Sequence, residues 1–330
     1  MVGGAAARRG LAVGAGIVVS PQEESEYAET SRLLADFLND RRFRSGKFLD
    51  WFYGANPRGK AIVENIDDDS GRRIGHYGVV PTRYRTPAGT TPFIFTSNVA
   101  TDPNARRKGL FREMAERIYP RAAATGAPGL AGTGNAQSAV VIVDRFGWRS
   151  LGSMPAVFTV PLVWPRGVRD IRVDDEFLAS DEFAALADDL DCVPVRDWVQ
   201  SWDAEFLRWR MQNPDNTYAL HVGRDALAVS ARDHGPLGIP AAVLCKVFPR
   251  AGATLPVRAG RYVAAACRAQ RAPVCVYGGW NAHVRVRGIK VPERFRPSPL
   301  VVVFKSFDEE RAPTPDFRLD TWEFLDGDVY

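Results

Sequence analysis

The 330-residue chain has few of the residues that build metal sites and disulfide scaffolds. It contains only four histidines and four cysteines, the latter at Cys192, Cys245, Cys267 and Cys275. No two cysteines are spaced as Cys-x-x-Cys, and this argues against both a zinc site and a disulfide framework. We therefore expect no bound metal and a reduced, cytoplasmic protein.

Long apolar runs and a strong charge of one sign are also missing. No run reaches the roughly 18 apolar residues that a membrane-spanning helix requires. The 43 Lys and Arg residues nearly balance the 39 Asp and Glu residues and are spread along the chain, so we expect neither a membrane span nor a nucleic-acid partner. Residues 1–22 are rich in glycine and lack a clear cleavage site, and we predict a disordered leader there.

What is present is the composition of a globular protein. Apolar residues make up 45% of the chain and charged residues 25%, which is average for soluble domains and sufficient for full hydrophobic cores. The length suits one large domain or two of ordinary size.

The most informative stretch runs from a predicted strand, through a basic turn, into a predicted helix. Residues 93–96 are aromatic or β-branched, and Pro103 then ends the strand pattern, because proline cannot donate to a sheet. Apolar residues at 110, 111, 114, 115 and 118 indicate a helix directly after Gly109. The unpaired N–H groups at a helix N-terminus attract anions, and a glycine lets a phosphate approach the backbone. This turn is therefore a candidate phosphate site.

The turn sequence Pro103-x-x-Arg106-x-x-Gly109-Leu110-Phe111 resembles the pyrophosphate loop of the GNAT acyltransferase superfamily. That loop, written Arg/Gln-x-x-Gly-x-Gly/Ala, binds the pyrophosphate of acyl-coenzyme A in the family. This chain departs from the pattern at Phe111, where the family has a small residue, although the backbone N–H of Phe111 can still donate. A Walker loop would need Gly-Lys-Ser/Thr and a dinucleotide fingerprint would need three glycines, and neither is present. The alternative interpretation is a basic turn with a solvated face.

The order of predicted elements also resembles the GNAT core. The elements are helices at 23–39 and 47–53, strands at 61–63 and 73–80, a turn region at 83–92, the strand and helix described above, a strand at 127–132, a helix at 135–146 and a strand pair within 148–162. The resemblance implies an α/β fold with a mixed sheet. It also implies that the strand at 127–132 diverges from its neighbour to admit the pantetheine arm, which Asn135 and Ser138 would contact. Asn135 is equally well explained as a helix N-cap.

The second half of the chain weakly repeats the first. The matching pairs are Phe48-Leu49-Asp50-Trp51 with Phe206-Leu207-Arg208-Trp209, Pro103 with Pro249, Ala127-Pro128 with Ala272-Pro273, Gly134-Asn135-Ala136 with Trp280-Asn281-Ala282, and Val157-Phe158 with Val303-Phe304. The last four pairs share nearly one offset along the chain, so we predict two tandem GNAT-like domains, 23–165 and 166–330. The second domain is predicted to be degenerate, because no Arg-x-x-Gly turn follows Pro249. The acidic stretch 324–330 is interpreted as a tail or a cap.

The resemblance further implies a set of cofactor and catalytic residues. Contacts with acetyl-CoA or another acyl-CoA are expected from Val99, Thr101, Arg106, Arg107, Lys108, Gly109, Leu110, Phe111, Asn135 and Ser138. The oxyanion donor is expected among the backbone N–H groups of 99–101. His76 is the first candidate for the base that deprotonates the amine, and Asp102 is the second. The alternatives are a hydrogen-bonded strand residue for His76 and loop shaping for Asp102.

Two further positions bear on the chemistry. Ser97 is a candidate for positioning the substrate, with a structural role as the alternative. The tyrosine that serves many family members as the acid towards the leaving thiolate corresponds to Val143, which has no proton to give. The thiolate would then leave unaided or through water.

These features together predict an enzyme, an N-acyltransferase that moves an acetyl or other acyl group from acyl-CoA to a primary amine. The layout resembles bacterial members that acylate amino sugars or natural-product intermediates, so a small-molecule amine of that kind is the expected acceptor. One alternative is transfer of a longer acyl chain. Another is a non-catalytic protein that binds acyl-CoA or serves as a scaffold. The sequence leaves the oligomeric state open.

Overall fold

The computed structural model describes residues 24–330 except 39, 45, 107, 235–237, 297, 298 and 329. The predicted leader over 1–22 and Arg107 of the predicted phosphate turn lie outside the described residues. Within the described ranges no helix is both long enough and apolar enough to cross a membrane.

The helices and strands follow one another in mixed order. The helices are α1 (Glu24–Leu38), α2 (Lys47–Leu49, continued by a π-helical turn over Asp50–Gly54), α3 (Leu110–Ala123), α4 (Ala136–Phe146), α5 (Asp175–Leu178), α6 (Asp181–Leu186), α7 (Ala204–Met211) and α8 (Gly260–Ala269). Short 3-10 turns lie at Arg41–Arg44, Pro103–Ala105, Glu293–Phe295 and Phe324–Asp326. The strands are β1 (Ile62–Asp67), β2 (Arg73–Thr86), β3 (Gly89–Thr101), β4 (Gly129–Asn135), β5 (Arg149–Ser153), β6 (Ala156–Thr159), β7 (Arg169–Arg172), β8 (Val199–Gln200), β9 (Tyr218–Val222), β10 (Ala226–His234), β11 (Pro240–Pro249), β12 (Val257–Arg258), β13 (Val274–Asn281), β14 (Val284–Arg285), β15 (Ile289–Lys290), β16 (Leu300–Ser306) and β17 (Thr321–Glu323).

Two mixed sheets form the framework. The first has the order β1-β2-β3-β4-β16-β5, with β8 added on β2. The second has the order β15-β6-β13-β11-β10-β9-β7, with β17 added on β13. Each sheet contains one parallel pair, β3 with β4 and β11 with β13, beside antiparallel pairs. The predicted α/β fold with mixed sheets is confirmed. We call the first sheet with α1–α4 the first lobe, and the second sheet with α5–α8 the second lobe.

Each sheet has one strand from the other half of the chain within its strand order, and the first sheet also carries the short β8 of the second half on β2. Strand β16 lies between β4 and β5 of the first sheet, and β6 lies between β13 and β15 of the second. These are the two strands that carry the repeated Val-Phe pair, Val157-Phe158 and Val303-Phe304. Three residues of β16, Val302 to Phe304, are almost completely buried in the first lobe. We keep 23–165 and 166–330 as the proposed domains, with β6 and β16 exchanged between them.

The predicted strand end at Pro81 and the predicted turn region at 83–92 are wrong. Strand β2 continues through Pro81 to Thr86, and only Pro87 and Ala88 separate it from β3. The pairing of β1 with β2 ends at Val79, and β8 pairs with β2 only from Tyr84 onwards. Pro81 lies between the part of β2 that pairs with β1 and the part that pairs with β8. Its carbonyl accepts from Asn56 Nδ2 at 2.8 Å. Its missing N–H therefore costs no ladder bond, as at a sheet edge.

The predicted pair of strands within 148–162 is only half correct. Strands β5 and β6 exist, but they lie in different sheets and do not pair with each other. The predicted helix at 135–146 is confirmed, and it ends at Gly147 with φ of +66°, the left-handed conformation that favours glycine after a helix.

The two faces of the first sheet have different neighbours. Helix α3 covers one face, where Met114 and Ile118 pack with Val79 and Ile94 in one apolar cluster. On the opposite face Phe95 belongs to a cluster that continues through α1 and α2 into the second lobe. Residues that project from this second face therefore lie at the boundary between the lobes.

Candidate active site

Strands β3 and β4 diverge after three paired positions. They pair in parallel at Ile94–Leu130, Phe95–Ala131 and Thr96–Gly132. Both strands then continue, β3 to Thr101 and β4 to Asn135, without pairing with each other. The divergence predicted for this strand is therefore present. Beyond Thr96 and Gly132 the pairing gives the facing backbone N–H and C=O groups no partner across the gap among the described residues, so an extended ligand could pair with them.

The gap between these strands leads to the turn before α3. Gly109 precedes the helix with φ of +80°, and a Cβ atom placed there would meet no atom of the described residues within 4 Å apart from its chain neighbours. Arg106 and Lys108 have exposed side chains, and the Arg106 guanidinium lies 5.6 Å from the centre of the Phe37 ring. Open backbone, a helix N-terminus and two nearby cations together form an arrangement that can bind a phosphate.

Leu110 and Phe111 can take part in such binding only through their backbone. The Leu110 side chain is buried. The Phe111 ring stacks on Tyr77, with 5.7 Å between ring centres, and contacts Phe146 edge-on at 4.5 Å. Both side chains hold the first turn of α3 against the core, so their N–H groups stay directed towards the turn.

Asn135 and Ser138 lie at the far end of the gap, where both are exposed. Asn135 Oδ1 accepts from the backbone N–H of Ser138 at 2.9 Å, and Ser138 Oγ donates to the Asn135 carbonyl at 3.1 Å. The N-cap interpretation of Asn135 is confirmed. Contact of either residue with a pantetheine arm stays a prediction.

A β-bulge in β3 marks the point where the gap opens. Gly78 of β2 pairs with Ser97, whereas His76 pairs with Ala100, so β3 carries one extra residue. Asn98 within the bulge has φ of +56°, a left-handed conformation that Asn tolerates better than most residues. Val99 and Thr101, the region of the predicted oxyanion donor, follow directly.

The bulge is tied to a buried hydrogen-bond network. Asn98 Nδ2 donates to Tyr53 Oη at 3.1 Å, and Tyr53 Oη lies 2.9 Å from His76 Nε2. His76 Nδ1 lies 2.6 Å from Asn65 Oδ1. Because an amide oxygen only accepts, Nδ1 carries the proton, and Nε2 therefore accepts from the Tyr53 hydroxyl.

Burial keeps His76 and Tyr53 neutral. Burial, assisted by the charge of Arg73, lowers the pKa of His76 to about 3. Burial also raises the pKa of Tyr53 well above its usual range. His76 is only 1% exposed, and both of its ring nitrogens are hydrogen-bonded. This arrangement matches the alternative interpretation, a hydrogen-bonded strand residue, and it gives His76 contact with the gap only through Tyr53.

Asp102 shapes the turn. Its Oδ1 accepts from the backbone N–H of Asn104 at 2.8 Å, which caps the 3-10 turn at Pro103–Ala105. Its Oδ2 accepts from Arg72 Nη2 at 2.7 Å. Both carboxylate oxygens are therefore engaged, and the loop-shaping alternative describes the contacts that this residue makes.

Several members of this site were missed by the sequence reasoning. Tyr53, Asn65 and Asn98 form the network described above, and Asp328 accepts from Ser97 Oγ at 2.5 Å. An asparagine inside a β-branched and aromatic strand was a usable signal for the bulge at Asn98. Asp328 carried no signal, because 231 positions separate it from Ser97.

Two further points of the sequence analysis concern Val143 and metal binding. Val143 is half-buried on α4 and offers no proton to a leaving group. Within the part of the chain that the structure describes, no group of three or more His, Cys, Asp or Glu side chains is placed to hold a metal ion.

Comparisons with known proteins find one matching family model and several solved structures of similar fold. Residues 19–151 match the family model of the acetyltransferase (GNAT) domain. No curated protein matches the chain significantly. Among solved structures, the fold is similar to a GCN5-related N-acetyltransferase from Kribbella flavida, with 12% identity, a TM-score of 0.55, and coverage of 88% of this chain and 70% of that one.

Two further structures are similar. A GCN5-related N-acetyltransferase from Anabaena variabilis has 8% identity and a TM-score of 0.54, over 85% of this chain and 70% of that one. Eis1 from Mycobacterium abscessus has 12% identity and a TM-score of 0.50, over 88% and 73%. Residues 19–151 are therefore similar to the GNAT acetyltransferase domain, and the mixed α/β fold of the chain is similar to the folds of these solved N-acetyltransferases.

Proposed function

We propose that the protein is an N-acyltransferase that moves an acetyl or other acyl group from acyl-CoA to a primary amine. The observation that carries this proposal is the divergence of β3 from β4 at the bulge, directly beside the open turn at Gly109. A ligand with an extended, amide-containing arm and a pyrophosphate at its end fits both features at once. Acyl-CoA has this chemistry.

The coenzyme is proposed to lie along the gap with its phosphates at the turn. The two amides of the pantetheine arm would pair with the free strand edges, around Val99 and Thr101 on one side and towards Asn135 and Ser138 on the other. The pyrophosphate would accept from the backbone N–H groups of 109–111. Arg106 and Lys108 would supply full positive charges, and Arg107 stays in the proposed set from its sequence position.

In the proposed reaction the amine nitrogen attacks the thioester carbonyl, and the carbon–sulfur bond then breaks. A backbone N–H after the bulge, around 99–101, would donate to the oxygen as it gains negative charge. The thiolate would take its proton from water, because Val143 has none to give. An acceptor that enters as an ammonium ion loses one proton to water in the cleft before it attacks, and the nitrogen loses a second proton to water as the amide forms.

His76 and Asp102 remain in the proposed catalytic set with indirect roles. His76 would act through Tyr53, whose hydroxyl it holds beside Asn98 of the bulge. Asp102 would act by fixing the turn that receives the phosphates. The acceptor amine would enter between the lobes, on the face of the first sheet that carries Tyr53, since pockets favour such boundaries.

The acceptor is proposed to be an amino sugar or a natural-product intermediate, and the protein is expected to be cytoplasmic. Transfer of a longer acyl chain is a second candidate. A non-catalytic acyl-CoA-binding protein is a third candidate, favoured by the lack of a proton donor at Val143.

Thiol release in the presence of acetyl-CoA, longer acyl-CoAs and a panel of primary amines separates these functions. Amine-dependent release with acetyl-CoA supports the first, and release only with longer chains supports the second. Binding without release supports the third. Arg106→Ala should weaken acetyl-CoA binding by about 1.5–3 kcal/mol, whereas Arg172→Ala, at an exposed position on β7, is the matched control.

A further inference from the structure

The second lobe has a gap like that of the first, and the chain itself fills it. Strands β11 and β13 pair in parallel only from Ala241–Val274 to Leu244–Tyr277, and both continue beyond. Strand β17 pairs with the far end of β13, where Glu323 lies opposite Gly279.

The Glu323 carboxylate bridges the two diverging strands. Oε1 accepts from the backbone N–H of Val247 at 3.3 Å and from Tyr277 Oη at 3.0 Å. Oε2 accepts from Asn281 Nδ2 at 3.0 Å. Glu323, directly before the acidic stretch 324–330 that the sequence left as a tail or a cap, is therefore a buried plug in the second lobe.

A buried ion cluster holds this plug in one position. Lys246 Nζ lies 3.2 Å from Glu323 Oε2 and 2.7 Å from Asp326 Oδ2, and both carboxylates are fully buried. Asp326 Oδ1 also accepts from the Trp202 indole N–H at 3.2 Å. Separating such a cluster would leave uncompensated buried charge. The cluster therefore fixes the position of Asp326, and with it the beginning of the segment 327–330.

From this point the chain crosses to the first lobe. Arg210, which is 2% exposed, donates from Nη2 to the Gly327 carbonyl at 2.6 Å. Arg42 of the first lobe donates from Nη1 to the Asp328 carbonyl. These contacts place the Asp328 carboxylate on Ser97, next to bulge residue Asn98, where Oδ2 accepts from Ser97 Oγ at 2.5 Å.

The Asp328 carboxylate keeps one oxygen available. Arg42 directs Nε to Asp40 at 2.8 Å and Nη1 to the Asp328 backbone, and Arg210 donates to the backbone carbonyls of Gly327 and Tyr330. The charges of both guanidinium groups lie close enough to interact with Asp328, but among the described contacts neither group donates a hydrogen bond to its carboxylate. Within the described residues Oδ1 receives no hydrogen bond, and Asp328 is half-buried rather than enclosed.

We propose that Asp328 is the residue that recognises the acceptor, by pairing its carboxylate with the ammonium group of a cationic amine. This inference rests on the proposed N-acyltransferase function. A half-buried carboxylate with a free oxygen, held at the bulge by contacts from both lobes, attracts a cation more strongly than an exposed one. The acceptor class is therefore an amine that is protonated in solution, and Asp328 determines specificity by binding it in the ground state.

The test compares two acceptors, an aliphatic primary amine that is protonated at pH 7 and an aromatic amine that is neutral there. Asp328→Asn should raise the KM of the aliphatic amine at least about tenfold, with kcat little changed. The KM of the aromatic amine and that of acetyl-CoA should stay the same. Asp328→Glu should restore part of the loss, and Asp69→Asn, at an exposed turn position, is the matched control.

Each other outcome has a defined meaning. An unchanged KM for the aliphatic amine, an equal rise for both amines, or a loss confined to kcat overturns the assignment of Asp328. If Asp328→Asn does not fold, Ser97→Ala carries the same test, because it removes the hydroxyl that holds the carboxylate. An unchanged aliphatic KM in that variant then overturns the inference. A wild-type protein that binds no acyl-CoA, or releases no thiol with any amine, instead refutes the proposed function.

Discussion

Trp51 and Trp209 bind each other's backbone across the boundary between the lobes. The Trp51 indole N–H donates to the Trp209 carbonyl at 2.7 Å, and the Trp209 indole N–H donates to the Trp51 carbonyl at 3.1 Å. Their rings are stacked with 5.1 Å between centres. These are the tryptophans of the repeated Phe-Leu-x-Trp motif, so the two copies of the motif meet in a self-complementary contact, as two-fold related surfaces do.

This contact should contribute measurably to stability. Trp51→Phe leaves a buried carbonyl at Trp209 without its donor, and we expect a loss of about 1–3 kcal/mol in the free energy of unfolding. Urea denaturation provides the measurement. Trp164→Phe is the control, because Trp164 is 80% exposed and should change stability by less than about 0.5 kcal/mol. If both substitutions lowered the free energy of unfolding equally, the reciprocal contact would not make the proposed contribution to stability.

The glycine at the turn before α3 should matter for coenzyme binding beyond its effect on folding. Gly109 and Gly126 share nearly the same backbone conformation, with φ of +80° and +83°, and neither has a neighbour within 4 Å of an added Cβ. Valine at either position is strained to a similar degree. Only Gly109→Val should weaken acetyl-CoA binding. We expect the Kd to rise about tenfold or more, as it does when a charge-assisted hydrogen bond is lost. Calorimetric titration of both variants would reveal a misassigned turn if they bound equally well.

Acid should destabilise the protein through His76. The pKa of His76 in the folded state is about 3, below the value of about 6.5 for an unfolded chain. Between these pH values the unfolded state binds more protons, so the stabilisation present above pH 6.5 is lost as the pH falls. Between pH 7 and pH 5 this amounts to about 2 kcal/mol.

His76→Gln removes this titrating group and should flatten the dependence of unfolding free energy on pH in that range. Urea denaturation at several pH values compares it with the wild type and with His234→Gln, at an exposed position. If the free energy of unfolding depended on pH in the same way in the wild type and in His76→Gln, His76 would be accessible to protons in the folded state.

One acyl-CoA should bind to each chain. The gap of the second lobe is occupied by Glu323, which bonds to both diverging strands. A cation near the start of α8, Arg261, is already paired with Asp225. Titration calorimetry with acetyl-CoA should therefore give a stoichiometry near one, and a value near two would mean that the plug leaves its gap when coenzyme is present.

A fragment that ends at Pro165 should not fold stably. It lacks β16, which pairs with both β4 and β5 and buries Val302, Val303 and Phe304 in the first lobe. Losing three buried apolar side chains, at about 1.5–3 kcal/mol each, removes much of a typical stability of 5–15 kcal/mol. Thermal unfolding followed by circular dichroism should show no cooperative transition.

The same fragment offers its own control. Linking residues 300–306 to its end should restore cooperative unfolding if the missing strand is the cause. A cooperative transition in the fragment without this addition would show that the first lobe is independent of the exchange.

Local patterns in the sequence determined most of the elements and the place of the glycine turn before α3. Gly109 and Gly147 mark the beginning of α3 and the end of α4 because a left-handed backbone is a local requirement. Asn135 could be predicted as an N-cap for the same reason, since the cap bonds to a residue only three positions away.

Only the tertiary structure decided which strands lie side by side and which groups meet at the bulge. Pro81 was compatible with a strand because it pairs with Ile94 of β3 on one side and with neither β1 nor β8 on the other, and that depends on where β1 and β8 end. The burial that makes His76 a neutral partner of Tyr53 comes from packing of distant segments. The exchange of β6 with β16, and the placement of Asp328 on Ser97, join positions far apart in the chain, and no local preference of either partner encodes such a contact.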